Sequence, residues 1–260
     1  MNINNLGLLN TIGLIINEGE TNADFAIAKY ILNHINNLEE ITVNELVDNS
    51  FVSRSSIRRF CKKLGYENFS ELQCSLTDII FPSNIHLREF TSMRDYRNNL
   101  TIGLTEMIKD INTAVSDETV EELVELIKMS DDIIFLSSNN TSSNLIKFQQ
   151  ELFYVNKIIR LINANFGLNS IIKKTNEDSL IFVISISGVF SNAIMETLKT
   201  MKGKKILVSA NRNERLSSFY DRVIYISNND IEEDGIGLLG KYGITYLFDL
   251  ISQLYIYKYH

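Results

Sequence analysis

Apolar positions in the first eighty residues fall at helical spacing. Leu6, Leu9, Ile12 and Ile16 recur every three or four residues, and so do Phe25, Ala28, Ile31, Leu32 and Ile35. Nothing before Pro82 alternates in the manner of a strand. In "ITVNELVDNSF", Thr42 is followed three residues later by Glu45, a pairing in which each side chain satisfies a free amide at a helix start; a short helix is expected from Val43 to about Asp48. The turn "NSFV" leads to Ser53, which can cap a second helix whose end is marked by Gly65. The local pattern is helix, turn, helix. Farther on, Met93, Tyr96, Leu100, Leu104, Met107 and Ile111 predict one long amphipathic helix.

From Asp131 the pattern changes. Short apolar runs, "DDIIFLS", "NKIIRLI", "DSLIFVIS", "KKILVSA" and "DRVIYIS", alternate with helical segments such as Ser143 to Val155, Phe166 to Lys174 and Ser191 to Lys202. Strands rich in Ile and Val and separated by helices imply right-handed crossovers and a parallel sheet covered on both faces. The expected fold class is therefore an all-α helix-turn-helix domain followed by an α/β doubly wound five-stranded parallel sheet with flavodoxin-like strand order. Pro82, the only proline, disfavours helix at the residue before it, so an element should stop near Phe81. The expected division is 1–81 for the helix-turn-helix domain, 82–115 for a linker and long connecting helix, and 116–260 for the sheet domain. The last segment, from Tyr246 through Leu247, Phe248, Leu250, Ile251, Leu254 and Tyr255 to Ile256, is apolar around more of a helix than one core contact requires. It reads either as a subunit interface or as the central helix of a large domain.

Composition narrows the function. A chain of 260 residues with 45% hydrophobic content forms a core. There is no charged segment followed by an apolar run at the start, and no apolar stretch of the roughly 18 residues that a membrane span needs, so a cytoplasmic protein with no membrane partner is expected. Cys61 and Cys74 lack partners at metal-ligand spacing and sit in helical patterns; they are expected as reduced core residues, with no metal or other cofactor. A formal net charge of -7 excludes a general polyanion binder, so any nucleic-acid binding must be local.

One stretch is locally basic. Arg54, Arg58, Arg59, Lys62 and Lys63 fall within ten residues that hold no acidic side chain. Such a run is ordinarily a solvated helix face. Here, at about 100° per residue, Ile57, Phe60, Cys61 and Leu64 share one face while Ser55, Arg59 and Lys62 lie opposite, flanked by Arg58 and Lys63. An apolar face that docks and a basic face that is presented suit the major groove of double-stranded DNA, where Arg bonds guanine and Ser reaches a base or phosphate. The candidate DNA-binding residues are Ser53, Arg54, Ser55, Ser56, Arg58, Arg59, Lys62 and Lys63.

The stretch "ITVNELVDNSFVSRSSIRRFCKKLGYENFSELQ" resembles the N-terminal domain of RpiR-type bacterial transcription regulators. Their pattern runs from a small capped helix through Ser, a hydrophobic residue, "RF", a basic pair and "LG" to an aromatic residue. The resemblance implies a regulator, not an enzyme, whose second domain is a sugar isomerase (SIS) domain that binds a phosphosugar effector. SIS domains usually carry a GxGxS loop after the first strand; here the segment is Ser137-Ser138-Asn139-Asn140-Thr141, without either glycine. The Ser-x-Ser-Gly motif after the third strand is intact as Ser185, Ile186, Ser187 and Gly188, but Phe190 stands near the expected Thr, beside Ser191.

Without the family, the same two segments stand out. Ligands of doubly wound sheets bind beyond the carboxyl ends of the strands where strand order reverses, between the first and third strands if the order is flavodoxin-like. "SSNNTSSN" and "SISGVFSN" lie there, rich in hydroxyls and amides, and both open helices that would attract an anion. They read equally as polar loops with helix caps at Thr141 and Ser191. The candidate ligand-binding residues are Ser137, Ser138, Asn139, Thr141, Ser142, Ser185, Ser187, Gly188, Ser191 and Asn192. Asn139 tolerates a left-handed backbone at modest cost and Ser137 does not, so the first loop is expected to have changed shape. The loops contain no His, Asp, Glu or Lys to act as acid or base, and His34, His86 and His260 lie elsewhere. Glu232, Glu233 and Asp234 follow the fifth strand and could reach the pocket or form a solvated turn. The expected function is a sequence-specific transcriptional regulator with a palindromic DNA operator and a phosphorylated sugar as partners, working as a homodimer or higher homo-oligomer. The alternatives are a SIS-type isomerase or lyase with an added helical domain, and a regulator whose SIS domain only dimerises.

Overall fold

The computed structural model describes residues 8–19, 22–77, 91–163, 175–228 and 237–260. The chain divides into two compact units, Met1–Ile80 and Phe81–His260. The expected helix over 166–174, the stop near Phe81 and the acidic group 232–234 lie outside the described residues.

The regular elements described in the first unit are all helices: α1 (Leu8–Asn17), α2 (Ala23–Asn33), a 3-10 segment (Ile35–Glu40), α3 (Val43–Ser50), α4 (Arg54–Lys63) and α5 (Phe69–Thr77). Its core gathers Leu8, Ile12, Ile27, Ile31, Leu46, Ile57, Phe60 and Leu72. The Gln73 side chain of α5 donates to the carbonyls of Leu38 and Ile41, which fixes the 3-10 segment against that helix. Cys61 is buried in this core, but Cys74 is exposed, which corrects the expectation that both cysteines are core residues. Cys74 lies two residues past Leu72, on the outer side of α5.

The second unit opens with α6 (Met93–Ala114) and α7 (Asp117–Met129), then alternates strand and helix: β1 (Ile133–Ser137), α8 (Asn139–Tyr154), β2 (Arg160–Asn163), β3 (Leu180–Ile184), α9 (Val189–Thr200), β4 (Lys204–Ser209), the short α10 (Glu214–Ser217) and β5 (Arg222–Tyr225). A single π-helical turn (Leu239–Gly243) runs into α11 (Ile244–Tyr259). The five strands are all parallel in the order β2-β1-β3-β4-β5, as the apolar runs predict. β1 and β3 are buried at every residue, the mark of strands covered on both faces. In the core, Phe135 stacks on Phe182 with centroids 4.6 Å apart, and Phe148 and Phe248 close around them from α8 and α11. Gly203, at φ +99, lets the chain enter β4 past Ser179, whose carbonyl oxygen would lie 2.2 Å from any β-carbon there.

α11 buries Leu247, Phe248, Ile251 and Tyr255 in this core, while Leu250 is partly exposed and Tyr246, Leu254 and Ile256 are half-buried. Among the described residues, no helix is long and apolar enough to cross a membrane.

Candidate nucleic-acid interface and effector site

α4 is held at both ends by its own sequence. The Ser53 hydroxyl accepts from the amide of Ser56 at the N-terminus. At the other end Gly65, at φ 89, lets its amide reach the carbonyl of Lys62 while the amide of Tyr66 reaches that of Cys61, the paired closure of a Schellman cap. Ile57, Phe60 and Cys61 are buried, so the helix cannot rotate without exposing them. The opposite side is in solvent: Ser53, Arg54, Ser55, Arg58, Arg59, Lys62 and Lys63 are exposed and Ser56 is half-buried.

The basic residues are not equivalent. Lys63 is drawn 2.9 Å from Asp24 of α2, Lys62 lies 3.6 Å from Glu67, and Arg54 donates to the side-chain oxygen of Asn44 in α3. Ser55 and Ser56 both hydrogen-bond the Ser53 hydroxyl, and Arg59 donates to Ser56 at 3.3 Å. Among the described residues Arg54, Arg58 and Arg59 meet no carboxylate. Position alone separates them in the sequence; the tie from Lys63 to Asp24 spans 39 residues and leaves no local signal.

In the second unit, Ser137 and Ile184 are register partners at the ends of β1 and β3, so the two polar loops leave the sheet side by side at the switch point. The sheet thus brings all the sequence-predicted ligand residues to one edge. It does not present them equally. Ser137 and Ser142 are buried, their hydroxyls 2.8 Å apart. Ser185 is buried and accepts from the amide of Ser191, whose own buried hydroxyl lies 2.6 Å from that of Tyr220. These four candidates pack as internally paired hydroxyls. Ser138, Thr141, Ser187 and Asn192 are half-buried or exposed, and remain at the surface.

Neither expected helix cap is used. α8 begins at Asn139, with Ser138 in the cap position, and α9 begins at Val189 behind Gly188. Thr141 and Ser191 lie inside the first turns because the helices start sooner than the polar run ends. The Ser185 hydroxyl takes over the amide of Ser191 that a cap would have satisfied. Among the described residues after β1, none has the positive φ that glycines would permit before Asn156, and Asn139 is helical, so the first loop turns directly from strand to helix. Gly188 does use its freedom, at φ 79; a β-carbon there would meet Leu216 at 2.8 Å and Asn211 at 3.1 Å.

Asn211, which the sequence does not single out, stands against the Ser187 loop. Its side-chain amide donates to the Ser187 carbonyl at 2.9 Å. Arg212 beside it donates to the Ser227 carbonyl and lies over the Tyr225 ring. The Ser227 hydroxyl in turn donates to Asp110 of α6. The only signal for this set was the polar "NRN" just past β4, at the sheet edge where ligands bind. A cleft of about 460 Å³ lies at the other end of the sheet, but its Arg222 and Lys258 are already paired with Glu122, Glu121 and Glu125 of α7. Among the described residues no group of His, Cys, Asp and Glu could hold a metal ion.

Residues 7–82 match the family model described as "Helix-turn-helix domain, rpiR family". The first unit therefore carries an rpiR-family helix-turn-helix domain, and the resemblance to RpiR-type regulators is borne out. The chain is 26% identical over 166 residues to the HTH-type transcriptional regulator GlvR of Bacillus subtilis, covering 64% of this chain and 61% of that protein. It is 21% identical over 246 residues to the HTH-type regulator CPE0189 of Clostridium perfringens, covering 89% of this chain and 86% of that one. The chain thus spans about three fifths of the length of the first curated relatives that it matches. Among solved structures, NanR of Vibrio vulnificus complexed with ManNAc-6P superposes with a TM-score of 0.51 at 15% identity, over 97% of this chain and 92% of that one. A putative sugar-phosphate isomerase from Listeria monocytogenes superposes with a TM-score of 0.51 at 13% identity, over 65% of this chain and 93% of that one. At such identities the likeness shows the fold alone. The curated relatives carry regulator names, while the fold neighbours include isomerases.

Tyr220 provides a handle on the closed half of the site. Burial pushes its phenol up to about 12, opposed in part by the hydrogen bond with Ser191. The folded protein therefore holds this proton more tightly than the unfolded chain, and the stabilisation, complete below pH 10, is lost as pH rises toward 12. Tyr220→Phe should cost about 1 kcal/mol at pH 7, by leaving the Ser191 hydroxyl unpaired. It should also flatten the fall of stability between pH 10 and 12, measured by urea unfolding. Parallel pH curves for variant and wild type would contradict the burial of a protonated phenol.

Proposed function

We propose that the chain is a sequence-specific DNA-binding transcriptional regulator that responds to a phosphorylated sugar. The observation that carries the first half is the outward face of α4, where Ser55, Arg58 and Arg59 are exposed opposite the buried Ile57, Phe60 and Cys61. Two guanidiniums can bond guanine edges bidentately or neutralise phosphates, and Ser53 and Ser55 stand at the positive end of the helix. Lys62, Lys63 and Arg54, each engaged with a neighbouring side chain, contribute charge at the flank. A single recognition helix reads few base pairs, so a two-fold homo-oligomer on a palindromic operator is the fitting assembly.

The effector reading rests on the two loops at the switch point. Ser138, Thr141, Ser187 and Asn192 at the surface, with the amides opening α8 and α9, can donate to a phosphate without a lysine. That NanR, which shares the fold, is complexed with ManNAc-6P supports the ligand class. A second reading, a domain that only dimerises, is favoured by the internal pairing of Ser137, Ser142, Ser185 and Ser191.

Arg59→Ala should weaken binding to an operator by about 1–3 kcal/mol and relax its sequence preference, measured by competition with a scrambled duplex. Wild-type affinity should also fall with salt, by a log–log slope of about -0.9 per phosphate neutralised. A flat salt response would remove the DNA-binding reading.

Calorimetry with a panel of hexose, pentose and amino-sugar phosphates tests the effector. Binding by wild type that Ser187→Ala weakens supports the sensor. Absence of heat from every member, with operator affinity intact, supports the dimeriser.

A further inference from the structure

The turn between α3 and α4 holds a side chain for which packing among the described residues gives no reason. Phe51 caps α3 with its amide on the Val47 carbonyl and takes the left-handed conformation, φ 53 and ψ 38. That conformation is strained for a residue with a β-carbon, and glycine ordinarily fills such a cap. Among the described residues the other non-glycine at positive φ is Asn156, a type that tolerates it. Burial could repay the cost, but Phe51 is 94% exposed. The residue before it, Ser50, is buried with its hydroxyl unpaired, so the same turn carries a second local cost.

Among the described residues of its own unit nothing repays this strained, bulky apolar side chain by packing, which calls for a partner of another kind. The neighbouring surface says what that partner is. Phe51 stands two residues before the cap of α4, beside the exposed Ser53, Arg54 and Ser55, and no acidic side chain occurs from Phe51 to Lys63. This surface is complementary to a polyanion and would repel a cationic one. In the DNA major groove the apolar group on offer is the thymine 5-methyl.

We propose that Phe51 is a base-reading residue, making an apolar contact with a thymine methyl at the edge of the site that α4 reads. The proposal rests on the DNA-binding reading above and adds a determinant of specificity that charge alone would not supply.

The test uses the full chain. A duplex is first selected from a random pool by the wild-type protein. Affinity for it is then measured by fluorescence anisotropy for wild type, Phe51→Gly and Phe51→Ala, with uracil replacing each thymine of the site in turn. Phe51→Gly, freed of the strained conformation, should melt no lower than wild type yet bind the selected duplex about tenfold more weakly. Wild type should lose a comparable factor at one thymine-to-uracil position, to which Phe51→Gly is indifferent. Unchanged affinity of Phe51→Gly, or equal sensitivity of both proteins to uracil, overturns the proposal while leaving the DNA-binding reading intact. Weaker binding that accompanies loss of self-association overturns it too, by assigning Phe51 to a second copy of the chain. A wild-type protein that enriches no duplex removes the DNA-binding reading itself, and the proposal with it.

Discussion

The seating of α4 in the helical core is the constraint on which the functional reading depends. Ile57, Phe60 and Cys61 lie within the core with almost no exposure, and full burial of side chains such as Ile57 and Phe60 stabilises by about 1.5–3 kcal/mol each. The surface contacts around the helix, Lys63 with Asp24 and Lys62 with Glu67, are exposed pairs that contribute little by comparison. Packing, not charge, therefore sets the rotation of the helix. Turning it by one residue, about 100°, would bring Arg58 into the core and Ile57 into water. The basic face is presented because the apolar face cannot be anywhere else, and the caps at Ser53 and Gly65 hold its ends without help from a partner.

A different constraint shapes the second unit. Parallel strands paired in the order β2-β1-β3-β4-β5 place the ends of β1 and β3 side by side whatever their loops contain. Where glycines would allow a loop to curl around a ligand, "SSNNT" turns straight into α8, and Ser137 and Ser142 bond each other. The retained "SISG" keeps its left-handed glycine, but Asn211 and Leu216 press against it and Ser191 is held by Tyr220. The edge keeps its hydroxyls while drawing half of them inward. What is left for a ligand is a shallower set of donors at the surface.

Legibility in the sequence followed the range of the interactions. The capping box at Thr42 and Glu45, the cap at Ser53 and the Gly65 stop are local, and each stands where three- and four-residue spacing placed it. The five strands were legible as apolar runs, because a buried parallel strand needs no partner to declare itself. The starts of α8 and α9 were misread by a few residues because the amides expected to need Thr141 and Ser191 are satisfied otherwise, one of them by Ser185. Cys74 shares a helix with buried Leu72 but falls on the outer side, a difference that a short helix hides. The contacts that no pattern announced join distant segments: Asn211 to Ser187, Arg212 to Ser227, and Ser227 to Asp110 across 117 residues. Phe51 was read as one letter of a turn; only its backbone angle and its exposure mark it out.

The central claim is that the outward face of α4 lies against DNA bases. Photo-crosslinking of the full chain measures this directly, with a benzophenone amino acid placed at Ser55 on that face or at exposed Ser70 of α5 as a control, on a duplex selected by the wild-type protein. The account predicts crosslinks from position 55 to bases within the protected site and none above background from position 70. Equal crosslinking from both positions, or protection of the duplex with no base crosslink from position 55, would contradict it.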